Sequence, residues 1–160
     1  MAVFAHLNTN NIVVNILEIP SLLPHSVIPY SLENEPLGID YCRVLVNAGE
    51  ETTSDYDSLS NWKLSSNDGT TFRGNPVGIG MTYITGVRTL GVASTDIFIE
   101  QQPYPSWSIG VNTATWYSPL GGDISGPGIT STVELDNDGK SYVWDESVYQ
   151  ADNTKGWVLK

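Results

Sequence analysis

The stretch "AVFAHLNTNNIVVNILEI", residues 2–19, places two β-rich runs on either side of "NTNN". Val, Ile and Phe suit a pleated surface, and Asn tolerates the left-handed backbone that a tight reversal needs. The segment predicts an antiparallel hairpin. The same pattern recurs along the chain. "NWKLSSNDGTTFRG" (61–74) reads as two short strands about an Asn67-Asp68-Gly69 turn. "GIGMTYI" (78–84) and "DIFIEQ" (96–101) add two more, with Ile97 and Ile99 facing opposite Phe98. "PSWSIG" and "TATWYS" flank Val111-Asn112 as a further hairpin. A glycine-rich loop, "GGDISGPGIT", leads to "STVEL", a "DNDG" turn, "SYVWDE" and "KGWVLK".

Between the strands, four prolines at 20, 24, 29 and 36 predict a fixed surface loop. "YCRVLVN" (41–47) is ambiguous. Cys42, Val44 and Val46 alternate as in a strand, while Tyr41, Cys42, Leu45 and Val46 share a helical face ahead of Gly49. Fifteen Gly and nine Pro leave little room for long helices. The expected fold is all-β: one compact domain over 1–160, sandwich- or barrel-like, of short antiparallel strands and long Pro/Gly-rich loops. At most one short helix is expected.

The chain's 160 residues suffice to bury a core without disulfides. Its 18 acidic and 7 basic residues give a formal net charge of -11, which repels phosphate backbones and argues against nucleic-acid binding. The single Cys42 forms no internal disulfide or thiolate cluster. No run approaches a membrane span, and "MAVFAHLNTN" has no export pattern.

The order "GIDYC", "NWKLSS…FRGNPVGIGMTY", "PYPSW…W", "YVWDE…GWV", after the opening "FAHLNTNNIVVNIL", resembles a family of small proteins in marine tailed phages, especially cyanophages. The resemblance covers nearly the whole chain. It implies a non-enzymatic virion structural protein, located in the virion, whose partners are other capsid or tail proteins or further copies of itself. The chain departs from the family pattern where "GGDISGPGITSTVEL" lengthens the link between the last two hairpins, and at Met81.

The motifs for chemistry are thin, and no cofactor or metal site is expected. A Cys-His dyad would have to bring His6 or His25 to Cys42, and no spacing supports it. Ser106 and Ser108 lack the Gly-flanked elbow of a hydrolase nucleophile. "DNDGKS" begins like a calcium loop but lacks the distal Glu and flanking helices, so Asp136–Gly139 reads as a hairpin turn, with a weak cation as the alternative. The acid pairs Glu50-Glu51 and Asp145-Glu146, taken as strand residues, point to opposite faces and cannot flank one bond. "GNPVGIG" lacks the Lys-Ser/Thr ending of a phosphate loop; its glycines suit a bulge or a close backbone approach.

That leaves the aromatics. Trp107 and Trp116 lie nine residues apart and Trp144 and Trp157 thirteen apart, each pair set to face across a hairpin. With only three Phe in the chain, these indoles are read first as packing and interface material, together with Tyr104, Tyr117 and Tyr142. Two functions stay open: docking onto neighbouring virion subunits, or a receptor- or glycan-binding module that uses exposed aromatics.

Overall fold

The computed structural model describes residues 1–22, 27–47, 61–65, 73–87, 95–110, 112–128 and 141–160. They divide into two compact units, residues 1–101 with 111–114, and residues 102–110 with 115–160. The architecture is all-β, in small antiparallel sheets with two helices.

The first unit is organised on the opening hairpin. β1 (Ala2–Leu7) and β2 (Val13–Ile19) pair antiparallel, from Ala2↔Ile19 to Leu7↔Val13, with a register shift between His6 and Leu7. The reversal is built by asparagine: Asn8 Oδ1 accepts from the amides of Asn10 and Ile12, and Asn11 takes φ 59°. β3 (Trp62–Ser65) joins the other side of β1, giving the order β2-β1-β3.

β1 is apolar apart from His6 because both its faces are covered. Ala2 and Phe4 join Ile19, Tyr30, Ile39, Cys42, Trp62 and Leu64 in one cluster, while Ala5 and Leu7 join Val13, Met81, Tyr83 and Phe98 in another. The first cluster includes helix α1 (Glu35–Asn47). The second includes the antiparallel pair β4 (Thr82–Thr85) and β5 (Asp96–Ile99). β5 is likewise buried on both faces, at Ile97, Phe98 and Ile99.

α1 begins earlier than its proline content led us to expect. Pro36 falls in the first turn, where a missing amide hydrogen costs no helical bond. Ser31 and Asn34 close the entry reciprocally, Ser31 N to Asn34 Oδ1 at 2.7 Å and Asn34 N to Ser31 Oγ at 3.4 Å. Tertiary packing settles the helix-or-strand ambiguity at 41–47, since Ile39 and Cys42 face the core together only at helical spacing. Gly38 is needed because the Phe4 ring occupies the place of a side chain. Gly49 lies outside the described residues, as do His25, Glu50-Glu51, the 67–69 turn, "STVEL" and Asp136–Gly139.

A buried charged cluster ties this unit together. Arg73, at φ 59°, forms a two-pronged contact with Glu35 and donates through Nε to Asp96 Oδ2 at 3.0 Å. Tyr83 donates to the same Asp96 oxygen. Burial alone would lower the Arg73 pKa, but Glu35 and Asp96 outweigh it and hold the guanidinium firmly charged. Burial also raises the Tyr83 phenol, so it stays a donor. Glu35 Oε1 accepts from the Leu64 amide at 2.5 Å, and Arg73 donates to the Leu64 carbonyl. Both backbone groups of this edge-strand residue are thus taken by side chains.

The second unit holds β6 (Ser108–Ile109), β7 (Trp116–Tyr117), β8 (Tyr142–Trp144), α2 (Glu146–Ala151) and β9 (Trp157–Leu159). The connection from β8 to β9 is a helix, which corrects the strand reading of Asp145-Glu146. Asp145 caps α2, accepting from the amides of Ser147 and Val148 at 3.2 and 3.3 Å, and Glu146 opens its first turn. An Asp before a first-turn Glu is a helix-start signal. α2 therefore adds a second helix to the chain, where at most one had been expected. No helix among the described residues is long and apolar enough to cross a membrane.

Candidate aromatic binding cleft

In the second unit, Ser141 and Lys160 exchange both backbone hydrogen bonds, at 3.2 and 3.0 Å. Counting inward, Trp144↔Trp157 is a non-hydrogen-bonded pair, the geometry that brings facing side chains closest. Their ring centroids lie 5.5 Å apart at 78°. The expected pairing across this connection is present.

The other expected pairing is not. The β6–β7 ladder sets Ile109 opposite Trp116 and Ser108 opposite Tyr117, because the reversal is longer than the two residues assumed and closes at Gly110 N to Thr115 O. Trp107 instead packs edge-on against Trp144 at 5.8 Å and 81°, and against Trp157 at 5.9 Å. Trp116 and Tyr117 sit half-buried on β7, outside this cluster.

Three indoles in mutual contact form the heart of the unit, and Tyr104 and Tyr149 extend it. Aromatic pairs of this kind contribute roughly 0.5 to 1.5 kcal/mol each beyond area burial. Trp107 and Trp144 are each only 3% exposed. Trp144 Nε1 donates to Glu146 Oε2 at 2.9 Å, and Trp157 Nε1 to the Gly121 carbonyl at 2.9 Å. Gly121 and Gly122 reach their place through φ values of 81° and 86°, open chiefly to glycine. Trp107 Nε1 is buried without a hydrogen-bond partner.

The outer rim of the cluster is a cleft of about 290 Å³. Tyr104, Trp107, Tyr142, Trp144 and Trp157 supply its aromatic wall, and Pro103, Ile124 and Val143 the remainder. Sequence reading identified the aromatics but missed these last three. The proline beside Tyr104 was the available signal, since β alternation sets Val143 on the opposite face from Tyr142 and Trp144.

Glu146 supports the wall from outside it, accepting also from Ser106 Oγ at 2.7 Å and Gln150 Nε2 at 2.8 Å. The Trp144 indole N–H, ahead of the Ser106 hydroxyl, holds its carboxyl below the usual range. A carboxylate so stabilised is a weak base for the serine it touches. In the first unit, the His6 ring lies against Trp62 at 4.9 Å and a 50° tilt, and burial pushes the Cys42 thiol up to about 12, so it stays protonated at neutral pH. Among the described residues no group of three or more His, Cys, Asp or Glu side chains is placed to hold a metal ion. "GNPVGIG" ends in a turn: Gly80 takes φ 90° and donates to the Val13 carbonyl at 2.9 Å. Nothing lies within 4 Å of where its Cβ would be, so the left-handed turn rather than a close backbone approach calls for glycine there.

Comparison with family models, with curated proteins and with solved structures returns no match for this chain. Fold and site together define an all-β protein of small antiparallel sheets, with an uncharged aromatic cleft in its second unit.

Proposed function

We propose that this chain is a non-enzymatic structural protein of a phage virion that docks onto neighbouring capsid or tail subunits. The motif order set out above supports the virion assignment. One observation carries the docking: an apolar stripe runs along the outward side of α1, beside the Asp40–Arg43 ion pair. Leu37, Val44 and Leu45 are 55%, 65% and 45% exposed, while Tyr41 packs partly against the core. The opposite side of the same helix, at Ile39, Cys42 and Val46, is already committed to the core. A surface helix normally turns charge to solvent, and a second apolar stripe marks a surface for a partner.

The test is attachment to particles. Purified protein added to virions that lack it should bind, and a Leu37→Asp/Val44→Asp variant should keep its fold but lose attachment. Absence of the protein from purified virions, or attachment unaffected by the double substitution, overturns the reading.

A further inference from the structure

The cleft of the second unit calls for a ligand of its own, independent of the docking stripe on α1. We infer that it binds one neutral hexose unit, such as the exposed end of a glycan.

Size sets the class first. At about 290 Å³ the cleft stands at the low end of ligand pockets, which run from roughly 300 to 1,000 Å³. A protein partner would need roughly 800 Å² of surface on each side, more than eight residues around one small hollow provide. A ring-sized molecule fits.

Charge comes second. No acidic or basic side chain lines the cleft, and the nearby Glu146 carboxylate is engaged by Trp144, Ser106 and Gln150. Sugar phosphates, sulfates and cationic ligands find no counter-charge. A nucleobase would stack equally well, but its polymer is repelled by a chain of net charge -11.

The lining then narrows the choice. Trp157, Tyr104 and Tyr142 are half-buried, so each shows ring surface to a ligand, and the tyrosines add hydroxyls. A hexose presents a C–H face to such rings and hydroxyls at its rim, the amphipathic match for a wall that mixes ring faces with polar edges. The unpartnered Trp107 Nε1 is a second, separate indication. A buried donor without an acceptor is rare and asks for an explanation. A sugar oxygen supplies the acceptor once the half-buried Tyr104 ring, 5.4 Å from Trp107, yields to it.

The experiment titrates the full-length protein with methyl glucoside, methyl galactoside and methyl mannoside, following tryptophan emission and the indole N–H signals by NMR. At least one sugar should saturate with a Kd of about 1 mM or tighter, and should move the Trp107 signal. Ile124→Arg should weaken that binding tenfold or more without changing the melting temperature, since Ile124 is 77% exposed. Three results overturn the inference: no saturable response to any methyl hexoside, a response that Ile124→Arg leaves intact, or saturation by an oligoproline peptide or glucose 6-phosphate alone.

Discussion

Arg73 grips Glu35 with two parallel hydrogen bonds, Nη1 to Oε1 at 2.6 Å and Nη2 to Oε2 at 3.1 Å, where almost no water reaches either side chain. Removing one partner of an enclosed ion pair strands the other, which costs about 3 to 5 kcal/mol. Arg73→Ala should lose about that much in urea unfolding. Glu35→Gln should lose less, because Asp96 still neutralises the guanidinium. A loss under about 1 kcal/mol for Arg73→Ala would show that the cluster is dispensable.

Trp144 occupies the centre of the indole cluster, touching Trp107, Trp157, Tyr104 and Tyr149. Trp144→Ala should cost about 3 to 5 kcal/mol, the usual range for large aromatic truncation. Tyr142, half-buried on the same face of β8, should cost less when changed to Ala. Equal melting of parent and Trp144→Ala would place the cluster outside the stabilising core.

Gly38 should resist any side chain. In Gly38→Ala the new methyl group would meet the Phe4 ring, and overpacking of this kind costs about 1 to 3 kcal/mol. Phe4→Leu should relieve part of that cost. The double variant would then be more stable than the sum of the two single losses, whereas strict additivity would mean the helix moves aside freely.

Acid should loosen the second unit. Asp145 is held low by Ser147 and the Val148 amide, Glu146 by Trp144, and Asp152, through Thr154 and Lys155, at about 2. Groups whose folded pKa is depressed add stability above their ordinary values and lose it as pH falls through the folded ones. The melting temperature should therefore hold down to about pH 4.5, the ordinary glutamate value, and fall progressively towards about pH 2. A flat profile across that window would contradict the hydrogen bonds that depress these groups.

Local chemistry was legible and long-range chemistry was not. The 2–19 hairpin follows from asparagines that hydrogen-bond their own backbone, and Trp144 opposite Trp157 follows from strand alternation. The Trp107–Trp116 pairing failed because register depends on loop closure at Gly110 and Thr115, and the loop conformation is not written in the flanking strands. α1 was cut short by treating Pro36 as a breaker when its place in the first turn makes it harmless. The contact of Arg73 with Glu35 spans 38 residues, and no spacing rule reaches that far. In the cleft, the aromatics were visible as residue types, whereas Ile124 joins them only through the fold.

The plugging of Leu64 also guards an edge. In the order β2-β1-β3, the β3 margin carries Glu35 on the Leu64 amide and Arg73 on its carbonyl, so a strand arriving there meets bonds already made. On the opposite margin, β2 beyond Val13, the Ile16 amide is likewise taken by a side chain, Asn15 Oδ1 at 2.8 Å. A strand arriving at either side would have to break such bonds before making its own, which guards the sheet against edge-to-edge growth.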